Sequence, residues 1–159
     1  MMGALRLGVI CGLLLATGLA HAGPAYVDAR LYPNQAEGWQ RFLAIERALV
    51  RGFDDICGDT FCEGEYYNLQ AMRLRCSVNQ DTGLLAGCIW TFAGSNTSVR
   101  RDGHIEVDVR SFACPLPLAA DTSLAAFLHT LEAAPAHDAI NVALPGTSAT
   151  VYEGLRECI

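Results

Sequence analysis

Two stretches of alternating apolar and polar residues, joined by Asp81-Thr82-Gly83, constrain this chain more than any other part of its sequence. Alternation with a period of two predicts two β-strands, and a short loop ending in glycine suits a tight antiparallel turn. A slip of one residue would turn the apolar set of one strand to the opposite face, so one register is favoured. The predicted cross-strand pairs are Gln80 with Leu84, Val78 with Ala86, Cys76 with Cys88, Leu74 with Trp90, and Met72 with Phe92.

Six cysteines follow residue 22 and are predicted to form disulfides. Opposed residues of an antiparallel pair lie within disulfide range, which predicts a bridge between Cys76 and Cys88. Proximity favours Cys57 with Cys62, and elimination leaves Cys114 with Cys158, while other pairings of these four cysteines stay open. The spacing lacks C-x-x-C pairs and the histidines are scattered, so we predict no metal site.

The first 22 residues have the layout of a secretory signal peptide. Arg6 precedes an apolar run over residues 7–19, and Ala20-His21-Ala22 supplies the small residues of a cleavage site. The run is shorter than the roughly 20 apolar residues of a spanning helix. We therefore expect cleavage before Gly23, export to the periplasm or the extracellular medium, and no membrane span in the mature chain.

The composition of residues 23–159 narrows the possible partners. Ten arginines, no lysine and seventeen acidic residues give a net charge of about −7. An acidic chain without a basic stripe is not expected to bind nucleic acid or an anionic membrane. Basic residues that are all arginine, together with abundant alanine and leucine, are typical of a GC-rich bacterial genome. The length suits one domain with a sizeable core.

A long amphipathic helix is predicted over residues 35–56. Asn34 is a typical N-cap with Glu37 three residues later, and apolar residues follow at helical spacing. Glu37 and Arg41 are expected to form an i,i+4 ion pair. Gly52 weakens this helix by about 1 kcal/mol relative to alanine and could allow a bend.

A third strand is predicted over residues 104–114, after a turn at Arg101-Asp102-Gly103. This turn sets Val99 against Ile105 and Phe92 against Phe112. The apolar face changes sides along the strand, from Ile105, Val107 and Val109 to Phe112 and Cys114. Either a bulge or strong coiling explains the change, or the distal hairpin extends beyond the helix and exposes its other face.

Two short helices are predicted after this strand. The first carries Leu124, Phe127, Leu128 and Leu131, and the last carries Val151, Leu155 and Cys158. The chain is therefore an α+β domain in which the long first helix packs on a three- to four-stranded coiled antiparallel sheet. This element order resembles that of cystatin-like domains, and the resemblance rests on element order alone.

Residues 54–67 form the most unusual segment, because they contain five acidic and no basic residues. A calcium loop needs acidic residues at alternate positions followed by glycine, and Cys57 and Thr60 break that pattern. One interpretation is a solvated connection between helix and strand. In it, a disulfide supplies the stability that a hydrophobic core would otherwise give. The other is a braced loop that recognises a basic protein surface. The residues assigned to this partner-binding hypothesis are Asp55, Asp59, Phe61, Glu63, Glu65 and Tyr66.

No catalytic motif is present, so we assign no catalytic residue and no cofactor. The histidines of the mature chain are His104, His129 and His137. None accompanies a Gly-x-Ser-x-Gly elbow, and bridged cysteines leave no thiolate nucleophile. We predict an exported binding protein of inhibitory or immunity type. The alternatives are a small extracytoplasmic hydrolase, using a histidine with Asp55, Asp59 or Asp108, and a structural envelope protein with an apolar patch on the distal hairpin.

Processing of the leader is directly testable. Mass analysis of the exported protein should show Gly23 as its first residue, because the peptidase pocket accepts the small residues Ala20 and Ala22. A mature product that retains Leu13 to Leu15 would contradict the signal-peptide interpretation.

Overall fold

The computed structural model describes residues 25–62, 64, 66, 68–135 and 137–159, with only the backbone of residues 59 and 60. The predicted signal peptide and its cleavage site lie outside the described residues. The main elements, in chain order, are β1 (Tyr26–Asp28), α1 (Gln35–Ile56), β2 (Gln70–Asn79), β3 (Leu85–Val99), β4 (Ile105–Pro115), α2 (Leu124–Ala133) and α3 (Val151–Arg156).

The strands form one antiparallel sheet in the order β1-β2-β3-β4. One helix on a four-stranded antiparallel sheet, followed by two short helices, confirms the predicted α+β class. The core lies between α1 and the inner face of the sheet, where the Phe53 ring centroid is 4.9 Å from that of Phe92 and 6.1 Å from that of Trp90. Aromatic contacts at these separations add to the free energy gained by burial.

Helix α1 begins and ends where the sequence predicted. The Asn34 side chain accepts the backbone N–H of Glu37 at 3.1 Å, which caps the first turn. The expected Glu37–Arg41 pair is wrong, since Arg41 makes two hydrogen bonds of 2.8 Å to Glu132 of α2. These bonds lower the pKa of the Glu132 carboxyl below its ordinary value, so this pair stabilises the fold at neutral pH and is lost as Glu132 is protonated.

Gly52 has a packing role that its low helix propensity conceals. A Cβ atom at this position would lie 2.9 Å from Ile140 Cγ2 and 3.0 Å from the His137 carbonyl oxygen. Glycine therefore lets the connection after α2 approach the helix closely. The helix continues through Gly52 to Ile56.

The β2–β3 hairpin keeps the centre of its predicted register and departs from it at both ends. Cys76 pairs with Cys88 and Leu74 pairs with Trp90, as predicted. The other two apolar pairs are wrong, because register shifts at Ser77/Val78 and Ala71/Leu74 bring different residues opposite each other. The observed pairs are Val78 with Leu85 and Ala71 with Phe92.

The turn of this hairpin explains the first shift. Asn79 donates its N–H to the Leu84 carbonyl, and its side chain accepts the N–H groups of Asp81 and Thr82 at 3.0 Å. The predicted pair of Gln80 with Leu84 is therefore wrong, since the loop has one more residue. Gly83 adopts φ 70°, the left-handed conformation that a residue with a side chain rarely accepts.

The β3–β4 hairpin settles the question of the apolar face in β4. Eleven consecutive pairs run without a break, including the predicted pairs of Val99 with Ile105 and Phe92 with Phe112. Ile105, Val107 and Val109 are exposed on the outer face. On the helix side of the strand Glu106, Asp108 and Arg110 are exposed as well, whereas Cys114 is buried. The hairpin thus extends beyond the cover of the helix, as the second of the two explanations proposed.

A buried ion pair joins the N-terminal segment to α1 and β2. Arg30 Nη2 donates to Glu46 Oε2 at 2.5 Å, and the exposed fractions of the two residues are 5% and 4%. The second oxygen of Glu46 accepts the backbone N–H of Leu74 at 2.9 Å. The β1–β2 pairing ends at Asp28 with Ser77, before it reaches Leu74. Glu46 therefore accepts the hydrogen bond that a neighbouring strand would otherwise accept.

Glu46 and Glu132 form a matched pair for mutagenesis, since both accept hydrogen bonds from an arginine and only Glu46 is buried. Glu46→Gln should reduce the free energy of unfolding by about 3–5 kcal/mol, because it leaves Arg30 as an uncompensated buried charge. Glu132→Gln should cost under about 1 kcal/mol. Urea unfolding of both variants measures the difference, and equal losses would show that Arg30 does not depend on Glu46.

The three disulfides are Cys57–Cys62, Cys76–Cys88 and Cys114–Cys158, with Cα–Cα distances of 5.0, 4.0 and 5.6 Å. These are the pairs favoured by the sequence. The last bridge attaches the end of the chain to the buried end of β4.

Removal of two of these bridges should have unequal effects. The bridge between Cys114 and Cys158 closes 44 residues, against 5 for Cys57–Cys62, and the chain-entropy model assigns the longer closure about 3–4 kcal/mol. Replacing Cys114 and Cys158 by alanine should therefore lower the melting temperature more than replacing Cys57 and Cys62. A reversed order in calorimetry would mean that the short bridge secures the core around Phe61.

Candidate functional site

The acidic segment, which we define as residues 54–65, begins in the last turn of α1. Asp54 and Asp55 are both exposed there. The helical backbone continues past Ile56 through one π-helical turn, Cys57–Phe61, so the negative carboxyl end of the helix lies at Phe61 and Cys62. No basic residue occurs between Arg51 and Arg73 in the sequence.

The chain after α1 is held in a single turn by a covalent bond and a backbone hydrogen bond. Cys62 donates its N–H to the Cys57 carbonyl at 2.6 Å, across the residues that the disulfide closes. Phe61 anchors this turn in the core, where its ring stacks on Phe53 at 5.6 Å and lies 5.6 Å from Tyr152. The turn therefore has a fixed base.

Two of the residues assigned to partner binding are core residues in the structure. Phe61 and Tyr66 are each only 7% exposed. The Tyr66 hydroxyl donates to Asp108 Oδ2 at 2.5 Å, and its ring packs edge-on against Phe112. These rings therefore position the segment and do not form a surface that a partner could contact.

The remaining assigned residues divide between the described and the undescribed parts of the segment. Asp55 is exposed at the end of α1. Asp59 is described by its backbone alone, while Glu63 and Glu65 lie outside the described residues. The partner-binding assignment of the four acidic residues stays a prediction.

Asp55 also contacts a histidine from a distant part of the chain. Its Oδ2 atom makes a hydrogen bond with His137 Nδ1, and both side chains are at least half exposed. This contact was not predicted, because 82 residues separate the two. It brings together a histidine and a carboxylate of the hydrolase alternative, on an open surface.

The other two histidines lie on separate elements. His104 closes the β3–β4 turn, where its N–H donates to the Asp102 side chain, and His129 is exposed on α2. Asp108, a further carboxylate of the hydrolase alternative, bonds to Tyr66. The structure therefore distributes the proposed acid–base residues over three regions.

The outer face of the sheet has a concave surface that sequence reasoning missed. A cavity of about 540 Å³ lies between Tyr26 and Ile89, with Gly87 among its lining residues. A Cβ atom at Gly87 would meet no other atom within 4 Å, so the missing side chain leaves open space there. The Arg75 Nε atom lies 3.3 Å from Asp28 Oδ2 at this surface, which balances its charge. The one sequence signal was a glycine within a strand of alternating residues.

No family model, curated protein or solved structure matches this chain. The expected resemblance to cystatin-like domains is not confirmed by these comparisons. Among the described residues, no helix is long and apolar enough to cross a membrane, and no three histidine, cysteine, aspartate or glutamate residues form a metal-binding group. Three disulfides are typical of proteins that fold in an oxidising compartment.

Proposed function

We propose that the mature chain is an exported binding protein of inhibitory or immunity type, which acts in the periplasm or the extracellular medium. Its partner is a protein with a basic surface, and its recognition element is the acidic segment. The concentration of five acidic residues at and just after the end of α1, around a turn closed by a disulfide, carries this proposal. Like charges that are close together repel one another, and local conflicts of this kind concentrate at functional sites.

The braced turn supports the same function. A loop that is ordered before binding loses less conformational entropy on association, which raises affinity. The Cys57–Cys62 disulfide and the buried Phe61 ring supply that order from either side of residues 58–60. Acidic side chains on an ordered turn create a negative electrostatic potential, and little conformational entropy is lost when a partner binds.

Electrostatics also favours a basic partner over other classes. The whole chain carries a net charge of −6, and the segment contains five of its seventeen acidic residues. Complementary charge steers encounter and mainly accelerates association. The contribution of exposed charges falls with ionic strength, because salt screens them over about 10 Å at 0.1 M.

The proposal predicts loss of partner capture when the segment is neutralised. The triple variant Asp55→Asn, Asp59→Asn, Glu63→Gln should fail to retain a basic partner from envelope extract, because the attracting field is gone. In surface binding measurements with the parent protein, the association rate should fall as salt rises. The melting temperature of the triple variant should stay close to that of the parent, because surface substitutions usually cost under about 0.5 kcal/mol.

A matched control removes the same charge elsewhere. Asp81→Asn, Asp102→Asn, Glu157→Gln changes three exposed acidic residues in two turns and at the chain end. This variant should retain the partner. Binding of both variants that equals the parent and ignores salt would contradict the proposal. A calcium-dependent rise in the melting temperature of the parent alone would instead assign the segment to a cation.

A further inference from the structure

The far end of the β3–β4 hairpin is a two-stranded ribbon. We call residues 95–109 the distal ribbon, because pairing with β2 ends at Gln70 opposite Ala93. On the β2 side, Asn68 caps the ribbon by accepting the Ser95 N–H at 2.7 Å and donating to the Ser95 hydroxyl at 2.8 Å. A two-stranded ribbon is only marginally stable unless its faces are packed.

One face of the distal ribbon is apolar and exposed. Four β-branched side chains lie there with exposed fractions between 62% and 74%, namely Val99, Ile105, Val107 and Val109. The alternating phase of the strand places them on the face opposite Cys114 and Phe112. A contiguous apolar patch of this kind is typical of an interaction surface.

The outer edge of β4 carries unused backbone groups beside this patch. Arg100 donates its N–H to the His104 carbonyl, and Leu116 donates to the Cys88 carbonyl, so even-numbered residues of β4 pair with β3. The N–H and C=O groups of Ile105, Val107 and Val109 therefore point outward. In the described part of the chain no strand pairs with this edge. Residues 105–111 are exposed over their whole length.

At the C-terminal end of β4, the outer edge cannot pair with a further strand. Pro115 is in the outward phase and lacks an N–H group. A strand added to β4 would therefore end before Pro115 and would pair along the distal ribbon.

The charges along β4 indicate which molecule pairs with this edge. We infer that a second copy of this chain pairs with β4 in antiparallel orientation, about a two-fold axis at Asp108. In this register Glu106, which also pairs with Arg100 of its own chain, lies opposite Arg110 of the partner subunit. Arg110, whose guanidinium lies 5.1 Å from the Phe112 ring centroid, lies opposite Glu106 of the partner subunit. Opposite charges that face each other across strands stabilise the pair.

The same register pairs apolar side chains with each other and satisfies the outward-pointing backbone groups. Val107 lies opposite Val109 of the partner subunit, and both present outward N–H and C=O groups, so they form a hydrogen-bonded pair. At the axis Asp108 meets its counterpart and has Arg110 and Glu106 of the partner subunit on its two diagonals, while its carboxylate bonds to Tyr66.

A neighbouring register is disfavoured by charge. An axis at Val107 would set Glu106 opposite Asp108 of the partner subunit twice, and like charges directly opposite each other are destabilising. An axis at Val109 would set Asp108 opposite Arg110 of the partner subunit, but it would leave Glu106 opposite the apolar Phe112 of the partner subunit, and the Asp108 carboxylate is already bonded to Tyr66. The Asp108 axis therefore gives an isologous dimer in which two sheets form one continuous sheet. This interface uses β4 and none of the residues of the acidic segment.

Sedimentation equilibrium of the mature protein, over a range of concentrations that extends to high micromolar, tests the dimer. The parent should associate to a dimer and no further. Val109→Pro removes an N–H that the β3–β4 ladder does not use, so the variant should stay folded and lose dimerisation. Val109→Thr keeps that N–H and a branched side chain, and should remain dimeric. A monomeric parent at every concentration, or a dimer that Val109→Pro leaves intact, overturns the inference.

Charge reversal tests the occupant and the register together. Glu106→Arg alone and Arg110→Glu alone should each weaken the dimer by about tenfold or more, because like charges then face each other twice. A mixture of the two variants should form a heterodimer, since each reversed residue meets its complement. Melting temperatures close to that of the parent would show that both variants are folded. A mixture that stays as weak as the separate variants overturns this register.

Discussion

The buried Glu46 carboxylate is the interaction on which the arrangement of this fold depends. Taking two charges out of water costs several kcal/mol per ion, and this cost is offset only when the remaining hydrogen-bonding groups are satisfied. Glu46 accepts from Arg30 through one oxygen and from the Leu74 backbone through the other. The Arg30 guanidinium lies 5.2 Å from the Trp39 ring centroid, and its Nε atom is buried with no hydrogen-bond partner among the described residues. One side chain thus fixes the N-terminal segment, the long helix and the irregular part of β2 relative to one another.

The position of the helix decides which surfaces remain for partners. Helix α1 and the segments around it cover the inner face of the sheet as far as Phe92 and Phe112. Beyond these residues the two strands continue without a helix over the inner face. The valine-rich outer face and the edge of β4 are also uncovered in the described part of the chain. At the other candidate surface, the acidic segment begins where α1 ends and is held by Phe61. Both candidate surfaces therefore lie at the limits of the core.

Two of the disulfides hold segments that follow the long helix and the sheet. Cys57–Cys62 closes the turn that follows the helix, and Cys114–Cys158 attaches the six-residue helix α3 to the sheet. A helix of that length has little stability of its own in water. The longer bridge thus secures a short helix whose buried residues are Val151 and Leu155.

The sequence by itself determined the features that follow from local spacing. The limits of α1, the pairs Cys76–Cys88 and Val99–Ile105, and the turn at Gly103 depend on residues that are close in the chain, so periodicity and turn chemistry were sufficient. The tertiary structure alone decided that Arg41 pairs with Glu132, 91 residues away, and that Tyr66 is buried against Asp108, 42 residues away. These pairings depend on which surfaces meet when the layers pack. A local sequence pattern carries no information about contacts between residues that are far apart in the chain. Polar side chains pair with whatever the packed layers bring within hydrogen-bonding reach.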